Sequence, residues 1–148
     1  MSDPKQILAA AKRILLIDWP STTMVRTLVA NGFTVFSYSP DKYSEATVTA
    51  DPPTDLDGVN VIPPKDGTEK GYLVFRRLNA APGNIDIVCV YRPAEELPGI
   101  IERHVFPLGA RTLWLHPPNK SADAARIAKE HGLDFVEGSD IAEVAAQL

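Results

Sequence analysis

Three strand-length apolar runs constrain the fold more than any other feature of this chain: Arg13–Ile17 (RILLI), residues 85–91 (IDIVCVY) and Thr112–Leu115 (TLWL). A run that is apolar without alternation has no face to give to water, so both of its faces must be covered. Each run is followed by a segment with helical character. Met24, Val25, Leu28 and Val29 recur at helical spacing after the first run, and Leu97, Ile100, Ile101 and Val105 after the second. Strands alternating in this way with helices predict an α/β fold: a mostly parallel sheet with helices on both faces.

Cap and turn residues set the expected boundaries. Asp3 before Pro4, with Gln6 three residues past the cap, starts a short helix through Lys12. Ser21 or Thr22 opens a helix through Asn31, which Gly32 closes. Residues 33–38 (FTVFSY) form the second strand, and residues 39–42 turn away from its end. Residues 43–70, rich in Pro, Asp, Thr and Gly, read as an expanded loop with one short strand at Val59–Ile62. A strand over residues 72–75 precedes the apolar run at 85–91. The next helix starts at Pro93-Ala94-Glu95-Glu96 and becomes regular at Pro98. Ser121 caps a helix over 122–131 that Gly132 closes. Residues 133–136 form the last strand, and Asp140 and Glu143, at capping-box spacing, open a helix ending at Ala146. The 148 residues suit one domain spanning 1–148.

The formal charge of -4, with Lys and Arg not clustered, gives no field that would attract nucleic acid. The apolar runs fall short of the ~20 residues a bilayer span needs. The N-terminal segment lacks a signal peptide's apolar core, so the expected location is the cytoplasm, with no membrane partner. Cys89 lies inside an apolar run and is expected to pack as a small buried hydrophobe. His104, His116 and His131 show no ligand spacing, so no metal site is expected, and His104 and His131 are read as helix-surface residues. His116 follows a strand at the expected site edge, where it could titrate near neutral pH.

Ligands of open parallel sheets bind beyond the carboxyl ends of the strands. Those positions here are Asp18-Trp19-Pro20-Ser21, residues 39–42, Arg92-Pro93 and residues 116–119. Lys42 and Arg92 could face an anion from two sides, with the amides and hydroxyls of Ser21, Thr22 and Thr23 beneath it.

The order KRILLI…S, LVANGFTVFSYSP-K, GYLVFRRLNAAPGNIDIVCVYRP and GARTLWLHPPNKSADAARIAKEHGLDFVEG resembles the small bacterial and archaeal CoA-binding proteins, which are similar to the CoA-binding domain of succinyl-CoA synthetase. The resemblance covers nearly the whole chain apart from residues 43–70. It implies a Rossmann-like three-layer fold in which the first turn and the second-strand turn hold the diphosphate of CoA. Ser21 then matches the serine of the family's Gly-x-Ser turn, Pro40 and Lys42 match its Asn-Pro-x-x or Asn-Pro-Lys turn, and Arg92 and Pro93 match the strand end near the nucleotide.

The departures fall at the same places. Asp18-Trp19-Pro20 replaces the first-turn glycine, Pro20 offers no N–H, and an ionised Asp18 repels a diphosphate. His116-Pro117-Pro118 replaces the family's Gln-Gly-Ile, and Ser139 stands in the region of its usual cysteine. The leading reading is a non-catalytic module that binds CoA or a related nucleotide-like anion. A second is a member that has lost the nucleotide and acts through a protein partner. A third makes Asp18 a nucleophile or metal ligand for phosphoryl transfer, although Pro20 occupies the place of the second aspartate which that chemistry wants.

Overall fold

The computed structural model describes residues 3–38, 42–65 and 67–148. The expected strands β1 (Arg13–Ile17), β2 (Thr34–Tyr38), β4 (Val59–Ile62), β5 (Tyr72–Arg77), β6 (Ile87–Val90), β7 (Thr112–Leu115) and β8 (Asp134–Glu137) are joined by β3 (Tyr43–Thr49). The helices are α1 (Pro4–Ala10), α2 (Thr22–Ala30), α3 (Leu97–Ile100), α4 (Ala122–Glu130) and α5 (Ile141–Ala146). A single 3-10 turn, Ala94–Glu96, precedes α3, and a π-helical turn, Ile101–Val105, continues it. Pro98 sits in the first turn of α3, where its missing N–H costs nothing.

The strands form one sheet in the order β4-β5-β3-β2-β1-β6-β7-β8. β2, β1, β6, β7 and β8 pair in parallel, whereas β3 pairs antiparallel with both β2 and β5, and β4 pairs antiparallel with β5. β1 is central, with the chain proceeding to one side through β2 and to the other through β6. The carboxyl ends of β1 and β6 therefore flank the point where strand order reverses, the usual ligand crevice of such sheets.

β3 corrects the expected long loop over 43–70. Its sequence, YSEATVT, buries only Ala46, so it presents no apolar alternation to read, and its pairing with β2 and β5 is what makes it a strand.

Apolar side chains fill both sides of the sheet. Leu16, Val35, Phe75, Cys89 and Trp114 lie on the α2 and α5 side, and Leu15, Ile17, Val88, Val90 and Leu113 on the α3 and α4 side. This division follows from the strand period of two, which sends Leu15 and Leu16 to opposite faces. Cys89 is buried as expected, and burial pushes its thiol far above the usual range, which leaves it inert.

The caps hold largely as read. Asp3, Ser121 and Asp140 accept main-chain N–H bonds at the starts of α1, α4 and α5, and Gly32 and Gly132 take positive φ just past α2 and α4. Ser21 is the N-cap of α2 by backbone only, because its side chain makes no capping bond.

A buried arginine ties the 43–70 segment to the rest of the molecule. Arg26, on α2 and 8% exposed, donates from Nη1 to the carbonyl of Gly71 (3.0 Å) and from Nη2 to that of Ile62 (3.2 Å). Its Nε lies 3.3 Å from Glu69 Oε1, and the same carboxylate oxygen accepts the Lys65 N–H. Gly71 permits this junction: it has φ +79°, and a Cβ there would stand 2.8 Å from the Thr49 carbonyl oxygen.

Removing one partner of a buried pair leaves the other charge uncompensated, which typically costs more than the pair contributes. Arg26→Ala is therefore expected to lower stability by about 3 kcal/mol in urea denaturation. A loss under about 1 kcal/mol would place the pair among ordinary surface ion pairs.

Candidate functional site

The turn after β1 organises the crevice. Asp18 has φ +62°, in the left-handed region that glycine favours and that aspartate tolerates through local hydrogen bonding. Its Oδ1 accepts the N–H of Trp19 at 2.9 Å, which stabilises that conformation. The aspartate thus reproduces the backbone of a glycine turn while adding a carboxylate.

Three consecutive residues of this turn then serve three different cavities. Asp18 lines one on the α3 side, Trp19 one on the α2 side over β2, β3 and β5, and Pro20 a cleft between α2 and α5. The residues expected to converge on one anion are distributed among these cavities.

The α3-side cavity, of about 280 Å³, contains Arg92. The guanidinium is already engaged: Nη1 donates to Asp18 Oδ2 at 3.1 Å, and Nη2 and Nε donate to the Glu96 carboxylate at 2.7 and 3.1 Å. Hydrogen bonds from Arg92 hold the Glu96 carboxyl below its usual range. Arg103, His104 and Tyr38 also line it. Pro93, the neighbour of Arg92, is exposed and caps the 3-10 turn.

His104 corrects the helix-surface expectation. It is 5% exposed, its Nδ1 hydrogen-bonds the Tyr43 hydroxyl, and its ring packs 4.2 Å from that of Tyr38. The π-helical turn carries it inward against β2 and β3, a rotation that a regular helical reading of the segment does not anticipate. His131 is exposed, as read.

The α2–α5 cleft, of about 300 Å³, brings Ser21 together with His116. It also contains Asp140 and Glu143, so its lining is acidic. His116 is 6% exposed and its Nδ1 has no hydrogen-bond partner among the described residues. Thr22 begins α2 beside this cleft.

Lys42 lines the third cavity, of about 460 Å³, apart from Arg92. Pro40 lies outside the described residues. Strand register builds the floor of this cavity. Ser37, Ser44 and Arg77 pair across β2, β3 and β5 in one row, and the next row inward is Val35, Ala46, Phe75 and Asn60. Trp19 stacks on Phe75, with ring centroids 5.2 Å apart and planes 12° from parallel. Sequence reading missed Ser44, Asn60 and Arg77, because β3 was not recognised and the pairings that set Ser44 against Arg77 and Asn60 against Phe75 are not local. The lining among the described residues includes Lys42 and Arg77 and no carboxylate. Nor do any three His, Cys, Asp or Glu side chains among them form a group that could hold a metal ion.

Burial lowers the pKa values of both buried histidines from 6.5, with Arg103 adding to the effect at His104 and Asp140 and Glu143 opposing it at His116. Both are thus held neutral in the fold and protonate more readily when unfolded. Their contribution to stability is complete above the unfolded value of 6.5 and is lost as pH falls through the lower folded values. The melting temperature is expected to fall between about pH 7.5 and 5, and the fall should be smaller in His116→Leu and His104→Gln. An unchanged slope in both variants would contradict this assignment.

The whole-chain comparisons agree with this architecture. The chain is similar in structure to Prb, a PH1109 protein redesigned for binding (17% identity, 98% of this chain and 89% of that one, TM-score 0.67). It is also similar to a hypothetical protein from Pyrococcus horikoshii OT3 (16%, 98% and 89%, TM-score 0.63) and to cell-free ID.343 from Thermus thermophilus (16%, 99% and 98%, TM-score 0.62). At these identities the likeness establishes the fold. No curated protein matches the chain. No helix among the described residues is long and apolar enough to cross a membrane. The model of the CoA binding domain matches residues 17–142, from the end of β1 into α5, and the chain belongs to that family.

Proposed function

We propose that this protein is a non-catalytic binding module that takes CoA, or a related nucleotide-like anion, in the cavity between Trp19 and Lys42. The observation that carries this reading is electrostatic. In a chain of net charge -4, this cavity at the carboxyl edge of the sheet has cations and no carboxylate among its described lining residues. The two neighbouring cavities contain acids: Asp18 and Glu96 in one, Asp140 and Glu143 in the other. An anionic ligand that reaches the crevice is therefore favoured on the α2 side.

The residues present suit such a ligand. Lys42 makes no ion pair among the described residues, so its charge is available, and the stacked rings of Trp19 and Phe75 offer an apolar wall beside it. Ser21, whose hydroxyl makes no capping bond, lines the α2–α5 cleft instead of this cavity, so the binding reading rests on Lys42 and the aromatic wall. When bound, CoA would supply a thiol for acyl attachment. The chain's own part is to bind and orient it. The described residues bring no nucleophile, base and oxyanion donors together, and both Asp18 oxygens are engaged by Trp19 and Arg92, which weighs against phosphoryl transfer.

Loss of nucleotide binding in favour of a protein partner is the second reading. Arg92 favours it: a cation expected to meet the ligand is matched by two carboxylates from its own chain.

Titration calorimetry with CoA, acetyl-CoA and ADP separates the two. Binding of CoA in the micromolar range, weakened about tenfold by Lys42→Ala, supports the module. Asp18→Asn removes a repulsive charge beside the crevice, so it should tighten CoA binding several-fold, more so at low salt. Absence of binding by all three ligands, in the wild type and in Asp18→Asn alike, would reject the nucleotide reading.

A further inference from the structure

The segment between β3 and β5 adds a wall to the Lys42 cavity that the first-turn and second-strand motifs do not account for. Gly58, Val59 and Asn60 form this wall, and Arg77 lies against it at the end of β5. The Arg77 main-chain N–H donates to the Gly58 carbonyl at 2.8 Å. Gly58 has φ +66°, and a Cβ there would lie 3.8 Å from Arg77 Cβ and 4.0 Å from its Nε, so the arginine stem runs alongside this turn. The Arg77 guanidinium forms no ion pair or hydrogen bond among the described residues, which leaves it free to meet a ligand.

Among the described residues, two uncommitted cations, the Asn60 amide and the Ser44 hydroxyl therefore border one cavity with no counter-carboxylate in its lining. A phosphodiester carries one negative charge and two free oxygens. A terminal phosphomonoester carries close to two charges and three free oxygens near neutral pH, which calls for more cations and more donors. The fork of an arginine suits it because two parallel N–H groups can meet two oxygens of one phosphate.

We infer that Arg77, with Lys42 and Asn60, forms a subsite for a terminal phosphomonoester of the bound ligand, built by the 43–70 segment and anchored to α2 through Arg26. This rests on the nucleotide reading of the same cavity and makes it more specific. CoA carries a phosphomonoester on its ribose, and dephospho-CoA lacks that group alone.

Calorimetry of the wild type and of Arg77→Ala with both compounds tests the subsite. Arg77 is exposed at a strand end, so its replacement leaves the core intact. The wild type should bind CoA about tenfold more tightly than dephospho-CoA, whereas Arg77→Ala should lose several-fold in CoA affinity, keep the wild-type affinity for dephospho-CoA, and so narrow the difference between the two. Equal affinities in the wild type, or a loss in Arg77→Ala that is the same for both ligands, would overturn the subsite and leave the proposed function standing. Failure of both compounds to bind the wild type would overturn the two together.

Discussion

The crevice depends on one left-handed residue. With Asp18 at φ +62°, the chain leaves β1 so that successive side chains diverge: Asp18 toward α3, Trp19 toward the β2–β3–β5 surface, Pro20 toward α5. A glycine could adopt the same backbone but would bring no carboxylate to Arg92. Here the groove is partitioned, and the partition sorts charge. The carboxylate of Asp18 neutralises Arg92 on one side, while the indole of Trp19 covers Phe75 on the other and borders the cationic cavity.

Charge rather than volume distinguishes the three cavities. Arg92 and Lys42 are equivalent as sequence positions, each a cation just after a strand. Their surroundings make them opposites, since the Arg92 side chain is held by Asp18 and Glu96 and Lys42 by no acidic partner among the described residues. The Arg92 ion pairs are partly exposed, with side chains 36–40% accessible, so they contribute more to the local field than to stability.

The parallel half of the sheet was readable in the sequence because its strands are buried on both faces. RILLI and TLWL have the boundaries their apolar runs predict, and Ser121 and Asp140 cap the helices they precede. The antiparallel half was much less so. Val59–Ile62 could be read, but YSEATVT is a strand only because β2 and β5 align with it, and that information is not local. The same limit applies to the site. Lys42, Ser21 and His116 could be named as strand-end or helix-cap residues, whereas their separation into different cavities, and the presence of Arg77 and Asn60 beside Lys42, follow from register and from the turn at Asp18. Likewise His104 reads as a helix-surface residue until a π-helical turn rotates it inward.

The central claim is that the ligand occupies the α2-side cavity bounded by Trp19 and Lys42. The two tryptophans make a proton–nitrogen NMR titration with CoA the most direct test. Trp19 borders the cavity, while Trp114 is fully buried with its indole N–H bonded to the Ser139 carbonyl at 2.8 Å. The account predicts that CoA shifts the Trp19 indole signal and the amides of Ser44 and Asn60, and leaves those of Trp114 and Arg103 in place. Shifts concentrated at Arg92, Glu96 and Arg103 with Trp19 unmoved would put the ligand on the α3 side and contradict it.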